Sequence, residues 1–204
     1  MEDVKLARDG GTPEVREPIP ERAPFGEREI ELLREVIESQ RLGGRAHPMM
    51  NRFLNAVKEL YGCRYAVPAT SGTAALHLAI GAVGLNPGDE VITAPITDMG
   101  TVIPILFQNG VPIFADTVKG GLHMDPEDVR RKITDRTRAI ILVHLSGNPA
   151  DVAPFLEIAR EHNLVLIEDC CQAHATELNG RYVGTFGHIG CFSLQESKHM
   201  TTGD

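Results

Sequence analysis

The chain has 204 residues, 42% hydrophobic and 24% charged, the balance of a folded globular protein rather than a disordered one. With 28 acidic and 20 basic residues the net charge is −8, which repels polyphosphate and excludes nucleic-acid binding through a general basic surface. No apolar run reaches the roughly 18 residues of a membrane span. Met1-Glu2-Asp3-Val4-Lys5 lacks the basic and apolar stretches of a secretory signal, so the expected setting is the cytoplasm, away from membranes.

The length predicts one main domain with an arm. Residues 1–25 carry Gly10-Gly11 and prolines at 13, 18, 20 and 24, too closely spaced for a helix, and read as an extended arm. Ile30, Leu33 and Ile37 then set a helical stripe, Gly43-Gly44 ends it, and Met50, Phe53, Leu54, Val57 and Leu60 set a second. From residue 64 short apolar runs alternate with helices. The expected strands are Tyr65–Pro68, Glu90–Ala94, Pro112–Ala115, Ala139–His144, Val165–Ile167 and Cys191–Leu194. Helices are expected near 73–83, 99–108, 126–133 and 151–162. Asp125-Pro126-Glu127-Asp128 combines a capping acid, proline at the first helical position and acids in the first turn. Ala139-Ile140-Ile141-Leu142-Val143 is apolar on both faces, as a central parallel strand must be. Alternating βα units imply an α/β fold with a mostly parallel, doubly wound sheet.

Three places could carry chemistry. Ser71-Gly72-Thr73 opens a helix, where free N–H groups and the positive dipole end suit a phosphate, although Ser and Thr also cap helices with no ligand. Glu168-Asp169 ends a strand, and open α/β sheets bind ligands beyond the carboxyl ends of their strands. Gln172 and His174 follow closely. Lys198 lies 29 positions after Asp169, among Ser193, Ser197, Thr201 and Thr202. An anion cradle, a strand-end acid and a lysine have one joint explanation, pyridoxal phosphate. That cofactor needs a phosphate site, a carboxylate for its ring nitrogen and a Schiff-base lysine. The four cysteines, Cys63, Cys170, Cys171 and Cys191, form no CxxC pair, and Cys170, Cys171 and His174 match no standard zinc spacing. No metal is expected.

The segments Glu168-Asp169-Cys170-Cys171-Gln172-Ala173-His174, Gly180-Arg181-Tyr182-Val183-Gly184, Gly190-Cys191-Phe192-Ser193, Ser197-Lys198-His199 and Gly203-Asp204 together resemble the DegT/StrS family of sugar aminotransferases, enzymes of pyridoxal-phosphate fold type I. The likeness runs from Gly10-Gly11-Thr12-Pro13 to the last residue. It implies a three-layer large domain over residues 26–204 that is incomplete, a small C-terminal domain lying outside the chain, and a homodimer. It implies that Lys198 is the Schiff-base lysine and proton shuttle, and that Asp169 pairs with the ring nitrogen. Gln172 is to lie against the ring or its phenolic oxygen, Gly72, Thr73 and Ser193 are to hold the phosphate, and His144 and Asn148 are to sit near the crevice.

One departure concerns the ring. Relatives place an aromatic in a Pro-x-x-Thr-aromatic pattern where this chain has Pro95-Ile96-Thr97-Asp98-Met99, so stacking falls to Met99 or elsewhere. Cys171 replaces the usual alanine between the Asp and Gln positions. The implied reaction moves an amino group from glutamate or glutamine to a keto-sugar, nucleotide-linked by preference, or to a keto-cyclitol. Two alternatives stay open. One is a pyridoxal-phosphate sugar dehydratase, whose members carry His where Lys198 stands; the other is a non-catalytic regulator that binds a phospho-ligand.

Overall fold

The computed structural model describes residues 5–18, 20–43 and 47–203. The chain divides into two compact units, Met1–Arg41 and Leu42–Asp204. In the first, a single 3₁₀ turn at Ala7–Asp9 precedes an irregular proline-spaced stretch, then α1 (Glu27–Glu38). The N–H of Gly26 donates to the Glu29 carboxylate at 2.6 Å, closing the helix start. Ile30, Leu33 and Ile37 lie on its exposed surface.

In the second unit α2 (Pro48–Tyr61) comes first, then α3 (Gly72–Val83). Strands β1 (Glu90–Thr93), β2 (Val111–Phe114), β3 (Thr137–Val143), β4 (Val165–Asp169) and β7 (Ile189–Cys191) form one sheet in the order β2-β1-β3-β4-β7. Every pair in it is parallel. Helix α4 (Met99–Phe107) links β1 to β2, α5 (Pro126–Lys132) links β2 to β3, and α6 (Ala153–Glu161) links β3 to β4. Asp125 does cap α5, accepting from Glu127 N–H at 2.9 Å.

Side chains alternate across the sheet with period two and fill two cores. Val91, Ala139, Ile141 and Ile167 pack against Leu76, Ala79 and Ile80 of α3 and Ile105 of α4. Ile92, Ile140, Leu142 and Leu166 pack on the opposite face against Val129 of α5 and Phe155 and Ile158 of α6. The expected three-layer, doubly wound sheet is what forms. The segment Tyr65–Pro68 departs from expectation. It is extended but unpaired, with Tyr65 77% and Val67 74% exposed and no described strand beside it. The last strand starts and ends earlier than expected, at Ile189–Cys191, and Gly190 within it is pressed on Gly184: a Cβ there would sit 2.2 Å from the Gly184 carbonyl oxygen.

That hairpin, β5 (Glu177–Leu178) and β6 (Arg181–Tyr182), turns on Asn179 and Gly180, both at positive φ, which is a two-residue turn that fits strand twist. The segment that follows it, residues 184–187, is fastened to the end of β4 by Glu168, a fully buried carboxylate. Glu168 accepts from the amides of Gly184 (2.8 Å), Phe186 (2.7 Å) and Gly187 (2.7 Å) and from His144 Nε2 (3.1 Å). His144 Nδ1 accepts from Ala150 N–H at 3.1 Å, so the ring is neutral and its one proton sits on Nε2. Burial pushes the Glu168 carboxyl up, but the hydrogen bonds from His144, Gly187 and Gly184 outweigh it and hold it below the ordinary 4.5. With a depressed folded value, its contribution is complete above about pH 4.5 and is lost as pH falls through the lower folded value. Glu168→Ala leaves these buried neutral donors unpaired and should cost at least about 1–3 kcal/mol in denaturant unfolding at neutral pH. Glu168→Gln should flatten the acid limb of the stability–pH curve; an unchanged acid limb would remove Glu168 as the fastening.

Candidate active site

Adjacent residues at the end of β4 face opposite ways. Glu168 shares the face of Leu166 and turns to the hairpin, while Asp169 shares the face of Ile167 and turns to α3 and α4. Asp169 is 4% exposed. Its Oδ2 accepts from Thr101 Oγ1 at 2.7 Å and its Oδ1 from the Cys171 N–H at 3.1 Å. No Lys, Arg or His forms an ion pair with it among the described residues. A buried carboxylate held only by two neutral donors is an open demand for a cation.

Two helices start beside it. Ser71 caps α3, its Oγ accepting from Ala74 N–H at 3.0 Å, and the amides of Gly72 and Thr73 have no acceptor among the described residues. Gly72 is buried, and a Cβ on it would lie 2.7 Å from Ser193 Cβ and 2.8 Å from Cys171 Sγ. Its lack of a side chain is thus what lets the α3 start, the buried Ser193 and the Asp169 turn meet. Asp98 caps α4 through Gly100 N–H at 2.7 Å. A Cβ on Gly100 would lie 2.5 Å from Thr73 Oγ1, so the first turns of α3 and α4 are in contact. Met99 is 59% exposed at the same helix start.

Lys198 lies in a loop closed by Thr202 N–H on the Leu194 carbonyl (2.9 Å), with its own N–H on Gln195 (2.9 Å). It is part-buried, and its charge is felt at both Cys171 and His174. Burial pushes the Cys171 thiol up, with the Asp169 charge adding to it, and burial pushes Cys191 up to about 12. Both remain thiols. His174 is 8% exposed, with neither ring nitrogen hydrogen-bonded among the described residues, and its ring stands 5.7 Å from His199 and 6.0 Å from Phe192. Burial, then the His199 and Lys198 charges, lower its proton affinity against a raising influence of the Ser193 backbone.

Asp169, Gly72, Thr73 and Ser193 are thus brought together, with the Lys198 loop following β7 and Ser193. Gln172 is beside them, its Oε1 accepting from Ser146 N–H at 3.0 Å. His144 and Asn148 are not at the crevice. The His144 ring is buried on the Glu168 face, and Asn148 is exposed, its carbonyl facing His123 Nε2 at 3.1 Å. His144 does sit at the strand end, its N–H on the Asp169 carbonyl at 3.0 Å, and its ring has the parity of Leu142. Ligand atoms of His144, Glu168 and Cys170 lie within 4.8 Å of one another, but the His and Glu atoms are committed to each other and to backbone amides, and burial keeps Cys170 protonated. Thr101 was missed altogether. Its signal was the pair of threonines one helical turn apart, Thr97 and Thr101, after a strand.

The model of the DegT/DnrJ/EryC1/StrS aminotransferase family matches residues 24–204. The chain belongs to that family. It is 45% identical over 202 residues to a putative L-glutamine:3-amino-2,3-dideoxy-scyllo-inosose aminotransferase of Micromonospora echinospora, covering 98% of this chain and 48% of that protein. Among solved structures, an aminotransferase from Psychrobacter cryohalolentis superposes with a TM-score of 0.84 at 33% identity over 91% of this chain and 47% of the other. The E. coli GDP-4-keto-6-deoxy-D-mannose-3-dehydratase with bound hydrated PLP superposes with a TM-score of 0.80 at 27% identity, over 88% and 47%. The chain spans about half the length of the curated relatives it matches.

Gly72→Ala tests the close approach at the cradle. The added methyl meets side-chain atoms fixed near their own backbones, so it should cost about 1–3 kcal/mol by thermal unfolding. Wild-type stability in this variant would show that the three segments are not in contact.

Proposed function

We propose that the complete protein is a cytoplasmic pyridoxal-phosphate aminotransferase that moves the amino group of glutamine to the ketone of a cyclitol. The observation that carries this reading is Asp169, a buried carboxylate with no ion pair among the described residues, set beside a glycine-opened helix start. The residues fit the cofactor. Gly72 and Thr73 offer two amides at a helix start and Ser193 adds a buried hydroxyl, a donor set for a phosphate; Asp169 suits a protonated ring nitrogen.

When bound, pyridoxal phosphate supplies an aldehyde that bonds amines and a ring that takes up electrons. The chain's own residues do the rest. Asp169 keeps the proton on the ring nitrogen and so keeps the ring electron-poor. Lys198 Nζ would be the amine that holds the cofactor's aldehyde and, once released, the group that carries a proton between substrate and cofactor carbons. Gln172, whose Oε1 is fixed by Ser146, keeps two amide hydrogens for the ring's phenolic oxygen. Met99, exposed at the α4 start, is the side chain available to cover the ring.

The choice of a cyclitol over a nucleotide-linked keto-sugar, the commoner family substrate, follows the name of the Micromonospora relative, which also supports glutamine as donor. The solved dehydratase favours the second reading, a nucleotide-linked keto-sugar substrate. Lys at 198, where dehydratases of this fold have His, supports amino transfer over dehydration. The exposed Ile30, Leu33 and Ile37 of α1 support a homodimer, which sedimentation of the full-length protein checks.

Glutamine and a keto-cyclitol should give the aminocyclitol; loss of water from a deoxy-sugar without amino transfer would overturn the assignment. Asp169→Asn should lower kcat by about 10²–10³, since unpairing a buried charge costs about 3–5 kcal/mol and each ~1.4 kcal/mol is tenfold. Near-normal turnover in that variant would reduce Asp169 to a capping residue.

A further inference from the structure

Thr97, just before the α4 cap, and Thr101 one turn later have no part in the function so far. Thr101 is 1% exposed, on the first turn of α4. Buried helical threonines commonly return their hydroxyl to a backbone carbonyl one turn back. Thr101 instead spends it on Asp169, 68 positions away, at 2.7 Å. A hydroxyl has one proton, and an ionised carboxylate only accepts. The Thr101 proton is thus committed to Asp169 Oδ2, and the 2.7 Å contact between Thr97 Oγ1 and Thr101 Oγ1 must be donated by Thr97. The direction of the chain is fixed: Thr97 to Thr101 to Asp169.

Its placement is fixed as well. Asp98 caps the helix through Gly100, and Thr101 N–H returns to the Asp98 carbonyl at 3.0 Å. Gly100 is pressed on Thr73, so the first turn of α4 has no room to slide along α3. On the other side Cys171 N–H holds Oδ1. The carboxylate plane is thereby set by one donor from α4 and one from its own turn.

We propose that Thr101, backed by Thr97, is a positioning residue that orients the Asp169 carboxylate toward the cofactor's ring nitrogen and supports its charge; this rests on the cofactor reading above. The donor from Thr97 polarises Thr101 and strengthens its bond to the carboxylate. Thr101 acts through Asp169 and touches no reacting atom.

The test uses the full-length protein freed of cofactor, with pyridoxamine phosphate and its carbocyclic analogue, which has C–H in place of the ring nitrogen, as probes. Thr101→Val should weaken pyridoxamine phosphate roughly tenfold or more, the usual scale for a hydrogen bond to a charged group. The analogue, which gives Asp169 nothing to pair with, should lose much less. Thr101→Ser should restore selective binding. Thr97→Val, which leaves the Thr101 bond in place, should show the same selective loss in smaller degree, and it decides the matter if Thr101→Val does not fold. Equal losses for both probes, no loss for either, or failure of the serine variant to restore binding would overturn the proposal while leaving the cofactor reading standing. If the wild-type protein binds neither probe, both fall.

Discussion

The site depends on the pairing of β3 with β4, in which Leu142 lies opposite Glu168 and Val143 opposite Asp169. Two consecutive acids end β4, and the two-residue period of a strand sends them to opposite faces. One is consumed as structure. Glu168 draws three backbone amides of the 184–187 segment and the neutral His144 ring onto itself, so that no charge is left to satisfy. The other is left short of a cation and close to two helix starts. A slip of one residue would exchange the two roles and place a saturated carboxylate at the crevice.

Fixing Glu168 also fixes Asp169, because the fastened backbone of β4 carries both. The rest of the crevice is built on close approach rather than on long side chains. Gly72 brings Ser193 and Cys171 to the α3 start, Gly100 brings Thr73 to the α4 start, and Gly190 brings β7 onto Gly184. Each of these contacts uses the absence of a Cβ. Thr101 then reaches across from α4 to a strand end that would otherwise present an unoriented carboxylate.

Much of this was legible in the chain. The βα alternation, the buried run of β3 and the Asp125 cap follow from local pattern; the helix start at 71–73, the strand-end Asp169 and Lys198 stand out by position, whereas Ser193 as a phosphate holder came only from the family resemblance. What was not legible depends on tertiary partners. Tyr65–Pro68 has strand-forming residues and no described neighbour to pair with, since a strand needs a ladder that its own sequence does not show. His144 was placed at its strand end, but only the register with β4 shows that its ring meets Glu168. The hairpin was overlooked although Asn179-Gly180 is a strong local turn signal; its two-residue strands are too short for an alternating pattern. Thr101 was hidden for a different reason, as its partner lies 68 positions away.

The central claim is that the crevice bounded by Asp169, the α3 start and the Lys198 loop is built for pyridoxal phosphate. Its most direct test is to load the full-length protein with that cofactor, reduce it with borohydride and map the modified peptides by mass spectrometry. The account predicts a single reduced cofactor adduct, on Lys198. No adduct, or one carried by Lys58, Lys119 or Lys132 instead, would contradict it.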